Sequence, residues 1–180
     1  MGIKFLSRSD YCDLAGLSIE QYSILRRRDQ LPTVPNLDLS DEVANKGGFE
    51  ASGALYLIVA NQLVETFEMS RESAARIAAY GRDMFDRWPE ISATSAQVVA
   101  GQEPSQEILL ALIDWQGAAR DKAKAKNRPV QKRAVGTLRE IVDEHPNARD
   151  IIAISLTRAA AVMRQRAAKA RIDLTEFWEN

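Results

Sequence analysis

One cysteine, Cys12, and one histidine, His145, stand in 180 residues. A lone thiol makes no internal disulfide and no cysteine metal cluster, so a reducing compartment is the simplest setting. No apolar run approaches the roughly 18–20 residues that span a bilayer. The opening stretch MGIKFLSRSDYCDL has no apolar h-region before its first acid, so no signal peptide is expected there and the expected location is cytoplasmic. A Walker loop, a GxGxxG turn, an HExxH helix and a nucleophile elbow are all missing. His145 precedes Pro146 at an expected helix end, where capping suits it better than general-base work. No catalytic group, metal or cofactor is implied, and the chain is expected not to be an enzyme. Internal repeats, Gln/Asn tracts and Gly/Ser tracts are absent too.

What remains is a globular composition, with 46% apolar and 27% charged residues and a net charge of −1. The total argues against a nucleic-acid binder, but the distribution does not. Residues 36–115 hold thirteen acidic and five basic side chains, whereas residues 116–171 hold fourteen basic and five acidic. An acidic middle separates two parts that carry basic clusters.

Residues 7–32 read as two short helices around a tight turn. Ser7 or Ser9 caps the first, which runs to about Ala15, and Gly16 supplies a left-handed turn position. Ser18 caps the second, which stops before Leu31-Pro32. The inward positions of such a hairpin fall on Tyr11, Ala15, Leu17, Tyr22 and Leu25, with the small Cys12 at the close contact. The second helix then offers Ser18, Glu20, Gln21, Ser23, Arg26 and Arg27 outward, with Arg28 near its end. Serine, glutamine and arginine suit base edges and phosphates. The residues near the helix start are expected to read bases, and the arginines to hold the backbone.

Residues 33–50 carry turn signals at 33–36, 38–41 and 46–49, where two short strands around Gly47-Gly48 would fit. Ser52 is expected to start the apolar helix GALYLIVANQLVETFEM, and Ser70 the helix RESAARIAAYGRDMFDRW, ending at Trp88-Pro89. Beyond residue 95, Glu107–Trp115, Pro129–Val135 and Asp150–Ser155 are expected strands. Thr137-Leu138-Arg139-Glu140 reads as a capping box, and Thr157 as the cap of a long helix. This order gives a small α/β subdomain, although IIAISLTRAAAVMRQRAA also reads as one helix.

The segment SRSDYCDLAGLSIEQYSILRRRDQLP resembles the N-terminal module of the MerR superfamily and of phage excisionases. Its ending SILRRRDQLP is similar to their helix, basic residues and Leu-Pro, and NKGGFEASGALYLIVANQLVETFEMSRESAARIA to their wing and following helix pair. The resemblance spans about residues 5–85. It implies recognition positions at Ser18, Glu20, Gln21, Tyr22 and Arg26, and a wing from Lys46 to Phe49. Phe49-Glu50 stands where the family has a Tyr-Arg pair, which removes a phosphate contact. The family's long dimerisation helix and effector-binding cysteines are not in this sequence.

The expected fold is therefore mainly α. A winged helix-turn-helix over residues 1–92 precedes a small α/β or α-helical C-terminal subdomain over 93–180, which dimerises or senses. The expected function is a sequence-specific transcriptional regulator that binds double-stranded DNA as a homodimer. An excisionase-like architectural factor and a helical protein-binding adaptor are the alternatives. The run Arg120, Lys122, Lys124, Lys126, Arg128, Lys132, Arg133 suits a solvated loop with nonspecific phosphate contacts. Arg164, Arg166, Lys169 and Arg171 are expected on the wet face of a packing or dimer helix. Asp83, Asp86 and Glu90 read as acidic surface, and Phe177 and Trp178 as aromatics folding back onto the core.

Overall fold

Hydroxyl side chains start most of the helices among the described residues. A computed structural model describes residues 5–32, 48–82, 88–115 and 132–177. Within it, Ser7 Oγ accepts from the Asp10 N–H at 3.1 Å and opens α1 (Arg8–Ala15). Ser18 Oγ accepts from the Gln21 N–H at 3.1 Å and opens α2 (Ile19–Arg27). Each such bond satisfies one of the four N–H groups a helix start leaves without an internal partner.

Between these helices Gly16 takes φ +72°. Its N–H donates to Asp13 O, and the Leu17 N–H to Cys12 O at 2.9 Å. These two bonds form a Schellman ending, which needs the left-handed conformation that glycine adopts without a Cβ clash.

The apolar run after residue 50 is the central core helix α3 (Ala51–Phe67), buried at every position from Gly53 to Asn61. It starts one residue ahead of the expected Ser52, whose hydroxyl donates to Glu50 Oε2 at 3.2 Å instead of capping. Ser70 Oγ accepts from the Ser73 N–H at 3.2 Å at the head of α4 (Arg71–Arg82). Trp88-Pro89 does not end that helix but opens another, α5 (Trp88–Val99). Proline fits the first turn, because its missing N–H would have no partner there.

The sheet has the order β2-β1-β3, with β1 (Leu109–Ile113) central and antiparallel to both β2 (Lys132–Gly136) and β3 (Ile151–Ser155). Leu110, Leu112, Val135 and Ile154 point into the main core. Leu109, Ala111, Ile113 and Ala134 form a second cluster with Ile141 of α6 (Leu138–Glu144), which is opened by a Thr137–Glu140 capping box. Coverage on both faces explains why β1 is an unbroken apolar run rather than an alternating one.

After β3 the chain turns directly into α7 (Leu156–Ala170), so the stretch expected as either strand-plus-helix or one helix is the former. Its cap is Ser155, not Thr157. Thr157 is buried, and its Oγ1 accepts from the Ile108 N–H at 3.0 Å, which ties α7 to the head of β1. A 3₁₀ turn over Leu174–Glu176 follows, and Phe177 packs on the core as expected.

The fold is thus mostly helical with a small three-stranded antiparallel sheet in its C-terminal part. One core cluster runs across residue 92: α7 packs against α1, α3 and α5, with Leu156, Ala160 and Met163 fully buried. No helix among the described residues is long and apolar enough to cross a membrane.

Candidate nucleic-acid interface

The inner side of the α1–α2 hairpin is sealed by the residues its pattern places there. Tyr11, Cys12, Leu14, Ala15, Tyr22 and Leu25 are buried, and Leu17 packs against the same core. Tyr11, Tyr22 and Phe49 form an aromatic triangle with centroid separations of 5.7, 4.9 and 5.8 Å. Phe49 is held there by an antiparallel bridge to Leu6, with N–H to O distances of 2.8 and 3.0 Å. Phe49 therefore lies at the base of the hairpin. Residues 33–47, with the expected turns and wing residue Lys46, lie outside the described residues.

The expected reading positions separate into groups. Tyr22 is 6% exposed and belongs to the core, so the ring cannot lie on the outward face with the others. Ser18 and Gln21 are exposed but bonded to the helix start: Gln21 Oε1 accepts from the Ser18 N–H at 2.8 Å, completing a capping box. Ser23 Oγ donates to Ile19 O at 2.8 Å. Glu20, Arg26, Arg27 and Arg28 are exposed, with Arg27 Nε donating to Ser23 O at 3.4 Å. Arg26 and Arg27 also stand in the last turn, where the carbonyl end of the helix favours cations.

Two outward residues were not among the expected site residues. Ile19 is 49% exposed and Ile24 39%, and Ile24 lines an open depression of about 400 Å³ with Arg27 and Arg28. The helical repeat alone carried that signal, since Ile24 falls away from the buried Tyr22 and Leu25.

Elsewhere, α7 does not keep all its bases in water. Arg166 is half-buried and donates through Nη1 to Leu14 O at 3.2 Å, and burial pushes its guanidinium below its ordinary value while Glu65 opposes the shift. Arg133, at the end of the basic run, lies 5.2 Å over the Tyr80 ring, and its Nε is buried without a hydrogen-bond partner among the described residues. The Tyr80 hydroxyl donates to Arg133 O at 3.1 Å, and burial pushes the Arg133 guanidinium down as well. Arg120, Lys122, Lys124, Lys126, Arg128, Asp83, Asp86 and Trp178 lie outside the described residues. His145 occupies the cap position after α6, where its backbone N–H donates to Ile141 O at 3.1 Å. Among the described residues no group of three or more His, Cys, Asp or Glu is placed to hold a metal ion.

No family model, curated protein or solved structure matches this chain.

Proposed function

We propose that this chain binds double-stranded DNA sequence-specifically through α2 and acts as a transcriptional regulator. The observation that carries the reading is a helix–turn–helix hairpin whose inner side is sealed while α2 presents Arg26, Arg27 and Arg28 outward. A helix with one buried face and a cationic outer end fits the major groove, with arginines placed for phosphates or for guanine edges. The Leu6–Phe49 bridge, which sets Phe49 against the base of the hairpin, supports a winged form of this module. Binding as a homodimer on paired half-sites belongs to the same proposal.

The test is enrichment of a randomised duplex pool by the full chain, followed by gel shifts at several salt concentrations. The expected result is an enriched motif whose affinity falls steeply with salt. Arg26→Ala/Arg27→Ala should weaken binding and flatten the salt slope by about one unit for each phosphate left without its arginine. Equal, equally specific binding by the double variant overturns the residue assignment. A footprint covering one or two half-sites reports the oligomeric state on DNA.

A second reading, an adaptor that binds protein through α2, is favoured by the exposed Ile19 and Ile24. It predicts no salt-sensitive DNA affinity even at low ionic strength.

A further inference from the structure

The polar groups that the helix start offers to base edges are already bonded within α2. Ser18 and Gln21 bond each other's backbone N–H groups, and Ser23 bonds Ile19 O. These bonds fix the side chains against the helix start and leave only their remaining donors and lone pairs for a base. The other outward side chains are Ile19, Glu20, Ile24, Arg26, Arg27 and Arg28. Glu20, Ile24, Arg27 and Arg28 recur at helical spacing and so form one stripe opposite Tyr22 and Leu25.

That stripe has an order. Its N-terminal part is a carboxylate, its middle is apolar and its C-terminal part is cationic. A carboxylate is repelled by phosphates but accepts from a cytosine amino group. An isoleucine finds no partner on the phosphate backbone, but the 5-methyl group of thymine in the major groove is an apolar surface of matching size. Arginines beside it meet phosphates on either side of the groove.

Resting on the proposed DNA-binding reading, we propose that Ile24 reads thymine through its 5-methyl group. Specificity in this chain is then carried by apolar contact at the middle of α2 rather than by the serine and glutamine hydroxyl and amide groups at its start. In this proposal the methyl lies against the open depression that Ile24 lines with Arg27 and Arg28.

The experiment uses the full chain and the duplex enriched from the random pool. Each thymine in the site is replaced in turn by deoxyuridine, which keeps every hydrogen bond and removes only the methyl. Wild type should lose about three- to fivefold in affinity at one or two positions, the scale of one buried methyl group. Ile24→Ala should bind the thymine duplex as weakly as wild type binds the uridine duplex, and should show no further loss on uridine. Ile24→Val should keep most of the discrimination. Thermal melting of each variant checks the fold, and the exposure of Ile24 makes the change tolerable. Undiminished wild-type affinity for every uridine duplex, or an enriched site with no thymine under α2, overturns the inference while sequence-specific binding stands. Failure of any duplex to enrich overturns the DNA-binding reading itself, and this inference with it.

Discussion

Arg166 Nη1 donates to the carbonyl oxygen of Leu14 at 3.2 Å across 152 residues of sequence. Leu14 O is one of the carbonyls that the end of α1 leaves without a helical N–H, and a cation there also meets the negative end of the helix. The same guanidinium lies against Gly16, the turn residue between α1 and α2. One C-terminal side chain therefore fastens the hairpin at its corner.

Removing that side chain should be felt at the corner. Arg166→Ala should cost about 1–2 kcal/mol, because a half-buried carbonyl loses a charged donor. Urea unfolding measures the loss, and hydrogen exchange should localise faster opening to the end of α1 and the turn. Arg166→Lys should recover only part of the stability, since an ammonium lacks the planar fork that covers Gly16. An unchanged midpoint for Arg166→Ala would show that solvent replaces the guanidinium without cost.

Gly16 and Arg166 should also be energetically coupled. A Cβ on Gly16 would fall onto the guanidinium, and φ +72° is strained for any residue carrying one. Gly16→Ala should therefore cost about 1–2 kcal/mol in strain and also dislodge Arg166 from Leu14 O. With Arg166→Ala already made, only the strain remains. The double variant should be more stable than the sum of the two losses predicts, which a double-mutant cycle in urea measures.

The hairpin was legible because its signals are local. Ser7, Gly16 and Ser18 punctuate it, and the apolar positions obey one helical repeat, so Tyr11, Ala15, Tyr22 and Leu25 are buried where the repeat puts them. The first two strands and the Thr137 capping box were legible for the same reason, whereas Ile151–Ser155 read equally as the start of the following helix. The antiparallel order β2-β1-β3 was not, because register depends on partners far along the chain. Trp88-Pro89 misled, since proline serves a helix start as well as a stop. Thr157 misled because its hydroxyl is claimed by Ile108, 49 residues away. At the candidate site, residue type alone favoured Ser18 and Gln21. Only the hydrogen bonds showed that Ser18 Oγ and Gln21 Oε1 are engaged by the helix start.

That engagement predicts what their removal does. Ser18→Ala should cost about 1 kcal/mol of stability through loss of the N-cap. Gln21→Ala should cost less, since an exposed N–H can turn to water. If α2 reads bases through Ile24, neither change should alter which duplexes enrich, although both should lower the melting temperature. A shifted motif with Gln21→Ala would place the amide on a base and return the reading to the helix start.

Cys12 gives a pH signature for the hairpin. The thiol is 1% exposed, and burial, reinforced by the Asp13 carboxylate and opposed by Arg8, pushes its pKa above the ordinary value. The folded state therefore holds the proton longer than the unfolded chain, whose thiol titrates near about 8.5. The stability from this group is complete below that value and is lost as pH rises through the folded pKa, because only the unfolded chain ionises first. Two measurements follow. In native buffer near neutral pH a thiol reagent should modify Cys12 only as fast as the hairpin opens, and rapidly once urea unfolds the chain. Above about pH 8.5 the wild-type melting temperature should fall more steeply than that of Cys12→Ala, which has no thiol to ionise. Parallel slopes for the two proteins, or fast modification of the folded chain, would place Cys12 outside the core of the hairpin.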